Sequence, residues 1–283
     1  MRIIAVLLAA IAANAAGRAQ FASGVTVVEV YATVTDQNGM PVGNLRTTDF
    51  TIAEDGIPQA ITTFASGEFS MSVALAVDRS WSMAGQRLAL AKTAVRSFLE
   101  QLRPGDRSML IAVASDTEVV APLSADPAVA TQALARLQPW STTGLYDAII
   151  ASVGMIQPAS GRRALILLSD GVDRYSHATA ADALETARRS DVLIYPIAIG
   201  KSRPPLFPEM AALTGGQSFL LSDDPRRINR TLSLIANELR HQYLLGYTPS
   251  RAAEPGRPEW RAIQVRVNRA GVRVRARDGY LAK

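Results

Sequence analysis

Val73-Ala74-Leu75-Ala76-Val77-Asp78-Arg79-Ser80-Trp81-Ser82-Met83 is the stretch whose reading decides the fold. Its opening apolar run has the length and continuity of a strand buried on both faces, as parallel sheets require. The run stops at an aspartate, and two serines follow at alternate positions. In open α/β sheets, functional groups stand just beyond the carboxyl ends of the strands. One carboxylate and two hydroxyls on a single loop make half of a cage for a hard cation such as Mg²⁺, Mn²⁺ or Ca²⁺. Asp and Ser are also helix caps and turn formers, and a helix is expected from Gln86. On these three donors alone both readings stand.

Outward from this stretch, strands and helices alternate from Met71 to Arg240, which predicts a mostly parallel sheet with helices on both faces. Strands are expected at 72–77, 109–114, 164–169, 192–199 and 217–221. Helices are expected at 86–102, 127–137, 145–156, 180–190 and 227–240. Leu88, Ala91, Val95, Phe98, Leu99 and Leu102 form one apolar face of the first helix. The flanks read differently. Val28, Val30, Ala32 and Val34 alternate with polar or aromatic residues, and Asp55-Gly56 joins 50–54 to 59–64 as an expected hairpin. Beyond Gln242, Ile263, Val265 and Val267 alternate with polar residues, as do Val272, Val274 and Ala276 after a turn at Ala270-Gly271. Neither flank is long enough to stand alone. The expected architecture is therefore a doubly wound α/β domain inserted between N- and C-terminal β segments that pair into a small β-sandwich. The expected boundaries are 1–19, 20–68, 69–241 and 242–283.

Residues 1–19 are expected to be a secretory signal peptide. Met1-Arg2 is followed by the apolar run Ile3–Ala13, and Ala13-Asn14-Ala15 or Gly17-Arg18-Ala19 supplies a cleavage pattern. That run is shorter than the roughly 20 residues a spanning helix needs, and no later stretch is long and apolar enough. The absence of cysteine excludes disulfides, thiolate chemistry and a lipid-anchored cysteine. The expectation is an exported protein, periplasmic or secreted. Of the net charge of +5, residues 251–283 alone hold nine Lys or Arg against three Asp or Glu. Arg266, Arg273, Arg275 and Arg277 are expected to share one solvated face there. Without interleaved aromatics, no nucleic-acid partner is expected.

Two further sets of oxygen donors fall where a parallel sheet would present them. Thr143, in Ser141-Thr142-Thr143-Gly144, stands just before a helix, and Leu167-Leu168-Ser169-Asp170-Gly171 ends another buried strand in aspartate. All strand carboxyl ends of such a sheet lie on one edge, so Asp78, Ser80, Ser82, Thr143 and Asp170 can converge.

In that order these five residues resemble the metal-ion-dependent adhesion site of von Willebrand factor type A domains. The flanks resemble a bacterial, acidobacterial-type branch of that family. They carry Asp49-Phe50 leading to Glu54-Asp55-Gly56, Tyr243-Leu244-Leu245-Gly246-Tyr247, and Arg275-Ala276-Arg277-Asp278-Gly279-Tyr280. The resemblance spans about 25–280. It implies that Asp78, Ser80 and Ser82 hold the ion directly or through water, that Thr143 joins when ligand is bound, and that Asp170 acts through water. It also implies an open position for a carboxylate of an unknown protein partner presenting Asp or Glu. Where relatives often have glycine between the serines, this chain has Trp81, which either meets a partner from the rim or folds back on its own surface. Arg79, Gly144 and Asp173 complete the expected rim.

Three function classes follow. The first is an exported, metal-dependent protein-binding module. The second is a metal-dependent hydrolase or phosphoryl-transfer enzyme, and the third a metal-free scaffold. Against the enzyme stand the lack of a histidine near the strand ends, of an Asp-x-Asp pair on the first loop and of a nucleotide loop, so no catalytic residue is assigned.

Overall fold

The computed structural model describes residues 27–67, 69–221, 225–254 and 256–283; the expected signal peptide lies outside them. Four strands come first: β1 (Val28–Thr35), β2 (Phe50–Glu54), β3 (Ile57–Gln59) and β4 (Ile61–Ala65). An α/β unit follows, starting with β5 (Met71–Asp78), α1 (Gln86–Leu99), β6 (Arg107–Val113), β7 (Thr117–Ser124), α2 (Pro127–Arg136) and α3 (Leu145–Ile156). It continues through β8 (Arg162–Ser169), α4 (Ala180–Arg189), β9 (Leu193–Ile199), α5 (Leu206–Thr214), β10 (Phe219–Leu221) and α6 (Pro225–Arg240). The chain closes with β11 (Tyr243–Tyr247), β12 (Glu259–Val267), β13 (Arg273–Arg275) and β14 (Gly279–Ala282).

The central sheet has the order β10-β9-β8-β5-β6-β7, parallel except for β7. Every residue of β5 is buried because helices cover both faces. Its side chains divide with the pleat. Val73, Leu75 and Val77 meet α1, α2 and α6, whereas Ala74 and Ala76 meet α3, α4 and α5. Local signals start the helices: Asp126 caps α2 through the Ala128 amide ahead of Pro127, and Thr179 with Asp182 forms a capping box on α4.

The two flanks form a sandwich of four-stranded sheets, β13-β1-β11-β4 against β14-β12-β2-β3. The hairpin expected at Asp55-Gly56 forms between β2 and β3 but is shorter than expected, whereas the strands on either side of Ala270-Gly271 go to different sheets. After Asp55-Gly56, β2 pairs with β3, and the chain then crosses so that β4 pairs with β11. Pro58, which has no N–H to donate, sits on the edge strand β3, where that lack is tolerated. Likewise β12 pairs with β2 and β14, while β13 joins β1 in the other sheet. Alternation dictates which face is buried, not which strand is the neighbour.

The expected arginine face is also divided. Arg266 and Arg273 are exposed, but Arg275 donates to the Gly216 carbonyl at 2.6 Å and to Glu238 of α6 at 2.5 Å. Arg277 donates to the Glu29 carbonyl at 2.6 Å. Part of the basic tail thus ties the sandwich together and to the α/β unit. Arg162 does the same from the start of β8, donating to the carbonyls of Leu239 and Gln242. Among the described residues no helix is long and apolar enough to cross a membrane.

Candidate metal centre and its rim

Asp78, the last residue of β5, is fully buried. Its Oδ1 accepts the Ser80 amide at 2.9 Å, which turns the chain sharply at the strand end. Its Oδ2 accepts the Ser169 hydroxyl of the adjacent strand β8 at 2.6 Å. Ser80 Oγ and Ser82 Oγ lie 3.1 Å apart on the loop that follows. A 3-10 turn over Trp81–Met83 sinks the Met83 side chain into the core below, fixing the loop from inside. The chain then enters α1 through Gly85 at φ 75°, a left-handed conformation that glycine adopts without strain.

Thr143 is buried, and its carbonyl accepts the amides of Arg174 and Tyr175 at 2.9 and 3.0 Å. The loop before it is laced to the serine loop. The Trp140 amide donates to the Arg79 carbonyl at 2.7 Å, and the Trp81 amide to the Ser141 carbonyl at 3.0 Å. Asp170 follows β8. Its Oδ1 takes the Val172 amide at 3.2 Å and its Oδ2 takes Arg87 Nη1 at 3.1 Å, the same nitrogen that reaches the Ser82 carbonyl at 3.0 Å. The loops carrying all five expected donors therefore meet at one edge of the sheet.

Burial pushes the Asp78 carboxyl above the usual carboxylate range, against hydrogen bonds from Ser169 and Ser80, and the nearby Asp170 charge adds to the rise. Two carboxylates thus share a site, and of the two it is Asp170 that Arg87 pairs with. A charge buried beside a like charge is costly without a counter-ion. With two serine hydroxyls and a threonine at hand, all the donors are hard oxygens, which suits Mg²⁺, Mn²⁺ or Ca²⁺. Among the described residues no group of three or more His, Cys, Asp or Glu gathers as a metal cluster. The oxygen donors gathered there are two carboxylates and the hydroxyls of Ser80, Ser82 and Thr143.

The expected rim residues differ in exposure and partners. Gly144 is buried and donates its amide to the Ala114 carbonyl at 2.8 Å, serving as the entry to α3. Asp173 Oδ1 accepts the Leu145 amide at 2.7 Å and the Ser176 hydroxyl at 2.5 Å, so it too braces the start of α3. Arg79 is half-buried and pairs with Glu118 at 3.6 Å. Trp81 is 64% exposed and does not fold back. Trp140, Val172 and Tyr175 are exposed on the neighbouring loops. No spacing rule singles out these three. One signal for Arg87 was available: a cation in the first turn of a helix opposes the helix dipole and implies a carboxylate partner.

Other candidates have structural duties. Asp147 is held below the usual carboxylate range, chiefly by the His177 amide and also by that of Ala178. A cavity of about 950 Å³ lies at the other edge of the sheet, lined by residues such as Glu29, Arg163, Asp191 and Tyr280, and contains none of the five donors.

Residues 73–172 match the family model of the von Willebrand factor type A domain. No curated protein matches the sequence. Among solved structures, the chain is similar to a von Willebrand factor type A protein from Catenulispora acidiphila, with 16% identity and a TM-score of 0.54 over 90% of this chain and 73% of that one. It is similar to the corresponding domain of the type V pili tip protein Mfa5 from Porphyromonas gingivalis, at 13% identity and a TM-score of 0.51, covering 60% of this chain and 94% of that one. It is also similar to proximal thread matrix protein 1 from the mussel byssus with a zinc-occupied MIDAS motif. That match has 15% identity and a TM-score of 0.54 over 66% of this chain and 49% of that one. At these identities the likeness is one of fold.

Proposed function

We propose that the von Willebrand factor type A domain carried by this chain is an exported, metal-dependent protein-binding module whose ion receives an acidic side chain of a partner. The observation that carries this reading is Asp78, a fully buried carboxylate set beside Asp170 and the hydroxyls of Ser80 and Ser82. Asp78, Ser80, Ser82, Thr143 and Asp170 would hold the ion. A bound Mg²⁺ supplies an electrophilic position that takes up a partner carboxylate. The protein's own residues do the rest. Asp78 and Asp170 offset the divalent charge, leaving a nearly neutral centre that an incoming Asp or Glu approaches without a full anionic cage to oppose it. Ser169 orients Asp78, and Met83 holds the serine loop in place.

The pilus tip protein and the byssal matrix protein with the same fold support a binding role outside the cell. The signal-like residues 1–19 point the same way. An enzyme is the less supported reading, because the nearest histidine in sequence, His177, is engaged with Asp147 at 3.3 Å. The test is calorimetric titration of Mg²⁺ and Mn²⁺ into the protein and into Asp78→Ala. Binding in the parent and none in the variant is expected. Equal binding, or none in either, would refute the metal centre.

A further inference from the structure

Nine large hydrophobic side chains are exposed among the described residues, and four of them stand on the three loops that carry the metal donors. Trp81 is 64% exposed, Tyr175 56%, Trp140 55% and Val172 40%. Two of the three tryptophans of the chain are spent here. Scattered single apolar residues need no explanation, but a cluster around a polar site marks an interaction surface. Trp and Tyr are also the residues that dominate binding hot spots.

The backbone that carries these side chains is held by hydrogen bonds between the loops. The backbones under Trp81 and Trp140 are cross-bonded, Trp140 amide to Arg79 carbonyl and Trp81 amide to Ser141 carbonyl. The Tyr175 amide is bonded to the Thr143 carbonyl. Preorganised aromatics bind with little loss of conformational entropy. Charge narrows the occupant further. The exposed cations Arg87 and Arg174 lie on this edge, as do the exposed acids Asp116 and Glu118. A single carboxylate suits the centre, whereas a run of acids would meet Asp116 and Glu118 and leave the aromatics uncovered.

Resting on the metal-dependent reading above, we propose that the partner presents one Asp or Glu within an apolar or aromatic segment. The carboxylate goes to the centre, and the flanking side chains cover Trp81, Trp140 and Tyr175. The specificity of the site then lies in the flanks, which distinguish such a segment from any exposed acidic residue.

The test is selection from a displayed library of random twelve-residue peptides against the purified protein in Mg²⁺, repeated in EDTA. Enriched peptides are expected to carry one acid flanked within about three positions by aromatic, Leu or Pro residues, and to be lost in EDTA. Trp140→Ala and Tyr175→Ala should each weaken a selected peptide about tenfold, with Mg²⁺ affinity by titration within about twofold of the parent. Acidic peptides without apolar flanks, or peptides indifferent to both substitutions, would overturn this inference and leave the metal centre standing. Apolar peptides bound equally in EDTA would instead refute the metal-dependent reading. Binding to anionic phospholipid vesicles in place of peptides would overturn the choice of a protein partner.

Discussion

Replacing Arg87 by Gln should tighten Mg²⁺ binding. Arg87 Nη1 lies 3.1 Å from Asp170 Oδ2 and 3.0 Å from the Ser82 carbonyl, so a fixed positive charge already uses part of the donor set. The Arg87 side chain is 45% exposed and that of Asp170 8%. An ion pair this open to water is worth about 0.2–1 kcal/mol, which a cation drawing on Asp170 must displace or share. A guanidinium sharing Asp170 with a divalent ion would add roughly 1 kcal/mol of screened repulsion. Together these amount to about 1–2 kcal/mol, or about five- to thirtyfold in affinity. Stability should hardly change, because the lost ion pair is offset by relief of a cation at the start of α1, worth about 0.3–1 kcal/mol. Calorimetric titration at two salt concentrations is the assay, and the gain should shrink at higher salt. Weaker binding in Arg87→Gln would refute the competition and mean that Arg87 holds Asp170 in its binding position.

Other perturbations test the frame around the site. Burial raises the Glu238 carboxyl above its ordinary value of 4.5, outweighing the pull of Arg275. Its contribution to stability is therefore fullest below pH about 4.5 and is lost as pH rises through the folded value. Glu238→Gln should flatten the urea-midpoint curve across that window, and parallel curves in parent and variant would contradict the assignment. Arg162→Ala removes a buried guanidinium that serves two carbonyls and lies 4.1 Å from the Phe69 ring, so a loss of about 3 kcal/mol or more is expected in denaturant melts. In Gly171→Ala the new Cβ would fall 1.9 Å from Pro204 Cγ at a backbone φ of 80°. That substitution should cost about 2 kcal/mol or more and weaken Mg²⁺ binding through the displaced Asp170.

What was legible in the sequence is what local pattern controls. β5 and β8 were readable because a strand buried on both faces is an unbroken apolar run, and the donors at their ends inherit that register. β7 was not read because Pro122 stands inside its apolar stretch Val119–Leu123 and only Ala121 of its residues is fully buried, as befits an edge strand. α5 was missed because Pro204, Pro205 and Pro208 suggest a loop, although proline is accepted in a helix's first turn. Arg87, Ser169 and Trp140 were missed for a different reason. Each acts through a partner distant in sequence, Asp170, Asp78 and the Arg79 carbonyl respectively, and no spacing rule predicts those pairings.

The last helix shows how the sandwich bears on the site. The apolar face of α6, with Leu232, Ile235, Ala236 and Leu239, is wholly buried against the sheet and α1. Such a face alone would allow the helix to slide. Its carboxyl end is held, however, by Glu238 to Arg275, by Arg240 to Asp106 at 2.6 Å and by Arg162 on the Leu239 carbonyl. Only His241 and Gln242 separate α6 from β11, and Gln242 Nε2 donates to the Thr33 hydroxyl of β1 at 2.8 Å. Movement of α6 along its axis would break these bonds together and drag an inner strand of the sandwich with it. Buried charged hydrogen bonds of this kind cost several kcal/mol to leave unpaired, more than a typical coupling energy of about 1–3 kcal/mol between sites. The sandwich therefore acts as an anchor for α6, and the proposed centre at the opposite edge of the sheet would work from loops that α6 does not move. Hydrogen exchange in Mg²⁺ and in EDTA should accordingly differ in the loops around Trp81, Thr143 and Asp170 and leave α6 unchanged; altered protection along α6 would break the argument.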